Sequence, residues 1–93
     1  MIRHVVLMKF TDRADAPEAK TRLEALPAGI PEIRSLEVGL DVLGTAVSYD
    51  LVLVTTHDDV AGLQAYQTHP VHQAFGEWVR PRLTGRVVVD AEP

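Results

Sequence analysis

The run Tyr66-Gln67-Thr68-His69-Pro70-Val71-His72-Gln73-Ala74-Phe75 gathers a phenol and two imidazoles, in a chain with only two Tyr and four His. Pro70 lacks the N–H that a helix interior needs, yet suits a helix's first turn, where that N–H has no partner anyway. It also pushes His69 toward an extended backbone. The run therefore predicts a helix, a kink and a second helix, with His72 in the first turn of the second piece.

Outward from this run, the earlier helical piece starts near Thr56-His57-Asp58-Asp59, with Thr56 read as N-cap, and shows Val60, Leu63 and Tyr66 or Gln67 inward. On this reading His57 follows the cap and faces solvent. The later piece carries Val71, Phe75, Trp78 and Val79 at helical spacing and closes at Pro81. Before the first piece, residues 48–56 (Ser-Tyr-Asp-Leu-Val-Leu-Val-Thr-Thr) are rich in β-branched side chains and predict a strand. After the second, residues 84–91 around Val87-Val88-Val89 predict another. At the N-terminal side, Ile2 to Phe10 alternates as a strand with Ile2, His4, Val6, Met8 and Phe10 on one face. Asp15-Ala16-Pro17-Glu18 reads as a helix start with Asp15 as N-cap, and Ala19, Leu23 and Leu26 form its apolar stripe. Residues 33–40 supply a further strand, in which Gly39 marks a bulge or a close approach. The order β-α-β-β-α-β predicts an α+β, ferredoxin-like protomer with a four-stranded antiparallel sheet and helices on one face.

Such helices cover one side of the sheet, and the other side of an antiparallel sheet usually faces water. Here both faces are apolar. Val5 and Leu7 oppose Val6 and Met8, Leu51 and Leu53 oppose Val52 and Val54, and Val87 and Val89 oppose Val88. Leaving about six such side chains wet forgoes roughly 1.5–3 kcal/mol each. A homodimer paired through the sheet face resolves this.

The 93 residues predict one domain, 1–93, that buries roughly 60–65% of its unfolded surface. With no Cys there is no disulfide, thiolate nucleophile or Cys-ligated zinc, which suits a reducing cytoplasm. A formal charge of −4 without a Lys/Arg cluster speaks against nucleic acid as partner. No apolar run approaches the ~20 residues of a membrane helix, and the N-terminus lacks a signal-peptide layout. The reading is a cytoplasmic protein that engages neither membrane nor nucleic acid. Glycine-rich phosphate loops, dinucleotide fingerprints and Ser-His-Asp signatures are absent, so no cofactor is expected. His69 and His72 straddle Pro70 instead of sitting four apart on one helix, so no metal site is expected either.

The residues Arg3-His4-Val5-Val6-Leu7-Met8-Lys9-Phe10, followed by Tyr66, His69-Pro70, His72 and Phe75, resemble the stress-responsive dimeric α+β barrel family, or Dabb. Length and element order agree over essentially the whole chain. The resemblance implies protomers whose sheets pair into a dimeric α+β barrel. Most of that family has no assigned activity. One branch, similar to the plant olivetolic acid cyclase, closes a linear polyketide by aldol condensation without a cofactor. For that branch the resemblance implies His72 and Tyr66 as the functional pair and His4 as pocket lining. Asp50 stands where that branch carries a further His on its third strand.

Three readings follow. In the first, a dimer holds a small organic ligand and catalyses cofactor-free proton transfer, with His72 as acid/base and Tyr66 as hydrogen-bond donor to an enolate. His4, Asp50 and Phe75 then line the ligand site, and Asp50 either meets His4 across the sheet or pairs with an arginine. In the second, the protein is a non-enzymatic stress-associated dimer whose His/Tyr motif braces the kink. In the third, it is an accessory subunit of a larger biosynthetic enzyme. A cavity between the second helical unit and the sheet separates the first from the second.

Overall fold

The computed structural model describes residues 1–93. Strand β1 (Ile2–Phe10) is followed by helix α1 (Ala16–Glu24), strands β2 (Ser35–Leu40) and β3 (Leu51–His57), helices α2 (Val60–Thr68) and α3 (Pro70–Val79), and strand β4 (Leu83–Ala91). The sheet order is β2-β3-β1-β4 with every pairing antiparallel, the ferredoxin-like arrangement. First and last strands lie side by side, and the helices pack on one face.

The register sorts the side chains. Val6 stands opposite Leu53 and Val88, and His4 opposite Thr55 and Asp90, so these residues share the helix side. There Ile2, His4, Val6, Met8 and Phe10 are all buried, as the period-2 reading requires. They pack with Leu51 and Leu53, with Ala19, Leu23 and Leu26, and with Leu63, Tyr66, Phe75 and Val79. On the outer face, Val5 pairs with Val54 and Val89, and Leu7 with Val52 and Val87. Those six form an apolar surface that no element of this chain covers, and Val89 is 64% exposed.

Pro70 opens α3, and His69 is extended at ψ 136° between two helices, as its place before proline dictates. Several local expectations are corrected. The N-cap of α2 is Asp59, whose carboxylate accepts from Gly62 N, because Thr56 is held in the β3 ladder opposite Arg3. Strand β3 therefore runs on through His57. It starts only at Leu51, since Ser48 N closes a turn onto Thr45 O. Asp15 precedes α1 without a side-chain capping bond; Asp12 caps the short 3-10 turn before it instead. Val60 and Val71, expected inward, lie 55% and 40% exposed at the first turns of their helices. Gly39 marks a close approach: a Cβ there would lie 3.1 Å from Val52 Cγ1. Trp78 is only partly buried, its ring held between the guanidinium groups of Arg22 (4.3 Å) and Arg82 (4.5 Å).

Candidate active site

Tyr66 and His72 are six residues apart, which on an unbroken helix means roughly 9 Å along the axis and about 240° around it. They meet nonetheless, with ring centroids 4.5 Å apart in an edge-on arrangement. The break at Pro70 makes this possible. In a continuous helix Val71 N would bond the Gln67 carbonyl; here it donates to His69 Nδ1, and the released Gln67 carbonyl accepts from the ring of His72 at 3.1 Å. A carbonyl only accepts, so His72 Nδ1 carries the proton and Nε2 keeps its lone pair. No protein group bonds that Nε2. Burial, opposed by the Gln67 bond and reinforced by Arg86, His4 and Arg80, lowers the His72 pKa below the ordinary histidine value. A neutral base results near pH 7.

The Tyr66 side chain is fully buried, and its hydroxyl is the chain's one buried side-chain polar atom without a hydrogen-bond partner. Burial pushes the phenol up to about 12, partly offset by Arg86, so it remains a proton donor. His4 enters from β1, its ring centroid 6.0 Å from that of Tyr66. Its Nδ1–H donates to the Asp90 carboxylate from β4, and no protein group bonds its Nε2.

His57 lies 0% exposed against Tyr66, at 4.9 Å between centroids, which corrects the expectation of a solvent-facing residue. Its Nδ1 donates to the Glu32 carbonyl (2.8 Å) and its Nε2 accepts from the Thr55 hydroxyl (2.9 Å). Burial lowers its pKa. With both nitrogens committed, His57 supports the Tyr66 ring and has none left for chemistry or for a metal. No group of three or more His, Asp or Glu is arranged to hold an ion.

Asp50 is the other correction. It sits beyond the opposite end of β3, where its carboxylate accepts from Phe10 N (2.8 Å) and lies 3.6 Å from the Arg13 guanidinium. It touches neither His4 nor the cavity, and the pairing with an arginine is the alternative that holds. The residue that orders His4 is Asp90, which sequence reasoning missed because the β1–β4 register is not a local signal. His69 stays outside as the N-cap of α3.

Between α3 and the sheet, these groups border a cavity of about 200 Å³. Val6, Met8, Leu53 and Val79 supply apolar wall, His4, Tyr66 and His72 the polar tips, and Phe75 lines it as expected. Arg80 and Arg86 complete the rim, again unforeseen from the sequence.

The sequence matches the model of the stress responsive A/B barrel domain over residues 2–93. This chain belongs to the Dabb family. Among its relatives, an uncharacterized protein of Streptomyces coelicolor is 33% identical over 91 residues, covering 85% of this chain and 94% of the other. A dimeric ferredoxin-like protein of unknown function from Thermobifida fusca is 35% identical with a TM-score of 0.87, covering 99% of this chain and 90% of that one. A dimeric ferredoxin-like protein of unknown function from Bacteroides fragilis is 31% identical, also at 0.87, over 99% and 95%. The Dabb resemblance read from the N-terminal strand and the Tyr66–Phe75 run is thus borne out, as is the ferredoxin-like fold. No helix is long and apolar enough to cross a membrane.

Proposed function

We propose that this Dabb protein is a homodimer whose protomers each bind a small carbonyl compound and catalyse cofactor-free proton transfer on it. The observation that carries this is the buried, unpartnered Tyr66 hydroxyl on a ring packed 4.5 Å from that of His72, both residues lining one cavity. A buried hydroxyl without a partner costs free energy unless a ligand completes it. In the proposed step the Tyr66 O–H donates to the substrate's carbonyl oxygen, and His72 Nε2 removes a proton from the adjacent carbon. The electron pair of that C–H bond becomes the enolate, held by the phenol hydrogen bond. The imidazolium then returns its proton, to carbon for an isomerisation or to an alkoxide after ring-closing aldol attack. Polyketide cyclisation is one member of this reaction class. His4 Nε2, ordered by Asp90, supplies a second polar contact.

The dimer rests on the uncovered outer face, where Leu7, Val87 and Val89 are 37%, 47% and 64% exposed, and on the dimeric state of the Thermobifida and Bacteroides relatives. Asp41 and Tyr49 adjoin Leu7 and Val52 there, so the loop bearing the exposed Val42, Leu43 and Val47 extends the same surface. A cysteine-free chain suits a reducing cytoplasm.

The second reading, a brace at the kink, rests on the His72–Gln67 bond that ties α2 to α3. Deuterium exchange at carbons next to a carbonyl, followed by NMR over a panel of small ketones and keto acids, separates the two. Exchange that falls by about 10²–10⁴-fold in His72→Gln supports proton transfer. A folded protein with no exchange above buffer across the panel overturns it in favour of the brace.

A further inference from the structure

We infer that the cavity's ligand is a compact organic acid whose carboxylate lies between Arg80 and Arg86. The inference rests on the ligand-binding reading above and adds the chemical class. Four of the chain's arginines have acidic partners: Arg13 with Asp41 and Asp50, Arg22 with Glu18, Arg34 with Asp58, and Arg82 with Asp15. Of the three without one, Arg3 lies on the outer sheet face, and the other two border this cavity. Arg86 stands on β4 directly opposite Met8, and Arg80 follows α3. No Asp or Glu lines the cavity, and the Asp90 carboxylate, farther along β4, is engaged by His4. A protein of net charge −4 thus keeps two uncompensated cations at the mouth of an apolar hollow.

Their placement has a structural device behind it. Arg80 lies one helical turn beyond Gly76, and a Cβ on residue 76 would stand 2.7 Å from the nearer guanidinium nitrogen. Glycine inside a helix is destabilising relative to alanine, so this gap has a cost. It lets the guanidinium approach α3 beside Gly76, which also lines the cavity. Guanidinium groups recognise carboxylates through paired, charge-assisted hydrogen bonds, which an uncharged ligand cannot return in kind. The remaining dimensions follow. An apolar body fits against Val6, Met8 and Val79, and an oxygen reaches Tyr66. At about 200 Å³ the hollow lies below the range for drug-sized ligands, so the acid is a single ring or a short chain.

The test uses the full chain and isothermal titration with benzoate, phenylacetate and hexanoate, each against its primary amide. The expected result is a preference for acid over amide of about tenfold or more that shrinks with added salt. In R80Q/R86Q that preference disappears because affinity for the acid falls at least tenfold more than affinity for the amide. Equal affinity for acid and amide, a preference that survives in the double variant, or no saturable binding of any acid overturns the inference. The same samples are followed for deuterium exchange on a matching keto acid and neutral ketone. Acid preference without exchange upholds the arginine site and removes only the proposed catalysis. Exchange on the ketone with no acid preference removes the arginine site and leaves the catalysis standing.

Discussion

Replacing Tyr66 by Phe removes one oxygen and nothing else, and the site's geometry assigns opposite signs to its two consequences. The ring stays between His57 and His72, so the apolar packing is retained. The lost hydroxyl has no hydrogen bond to give up inside the chain. Burying an unpartnered hydroxyl costs about 1–3 kcal/mol on protein mutational scales, so the unliganded variant gains on the order of 1 kcal/mol. For a domain of this size that raises Tm by about 4–8 °C. Turnover moves the other way: without the donor to the developing enolate, exchange falls by roughly 10²–10³-fold. Scanning calorimetry at matched protein concentration, necessary because dimer stability depends on concentration, gives the first number, and NMR exchange the second. A Tyr66→Phe protein that melts lower than the parent refutes the reasoning, because the hydroxyl is then satisfied in the free protein and is no poised donor.

On the outer face, Val89→Glu places a charge in the exposed apolar patch and is expected to give a monomer by sedimentation equilibrium at micromolar concentration; a dimer of unchanged affinity removes that face as the interface. His72 and His57 both have pKa values lowered by burial, so the unfolded chain binds more protons than the folded one just below the ordinary histidine value. Stability is therefore full above about pH 6.5 and falls as the pH drops through and below it, which denaturant titrations between pH 7.5 and 5 will register as a falling midpoint. Asp50→Ala strands the Phe10 N–H and leaves Arg13 one carboxylate fewer, so a loss of about 1–3 kcal/mol is expected with ligand binding unchanged; weakened binding in a folded variant would return Asp50 to the site.

What could be read in the sequence follows from which signals are local. The parity of His4 with Val6, Met8 and Phe10 put its imidazole on the helix side, and the proline in Tyr66–Phe75 put Tyr66 and His72 on two helices that meet. Asp50 was misplaced because its place beside His4 followed the resemblance, in which a third-strand His stands at that position. The strand starts only at Leu51, and the carboxylate turns back to Phe10 N. His57 was misplaced for the related reason that its status hung on where the strand stopped. An N-cap at Asp59 instead of Thr56 keeps it in the ladder opposite Ile2, and so inside. Asp90 and Arg86 were out of reach for a different reason. Their neighbours His4 and Met8 lie some eighty residues away, and no hairpin turn fixes the register between first and last strands.

That register also explains why the cavity opens where it does. Helix α1 packs on β2 and helix α2 on β3 and β1, while β4 at the other sheet edge is left largely uncovered. Its helix-side residues Arg86, Val88 and Asp90 are exposed along with their outer neighbours. A central strand there would have to be apolar; an uncovered edge can carry charge without desolvating it. The chain uses that freedom on the side facing the cavity. Asp90 reaches in to fix the His4 ring, and Arg86 borders the mouth beside Arg80. The buried half of the site depends on the break at Pro70, which frees the Gln67 carbonyl to hold the His72 tautomer. The charged half depends on the absence of a helix over β4. A single straight helix across the sheet would separate Tyr66 from His72, and the acid/base pair requires both halves of the broken one.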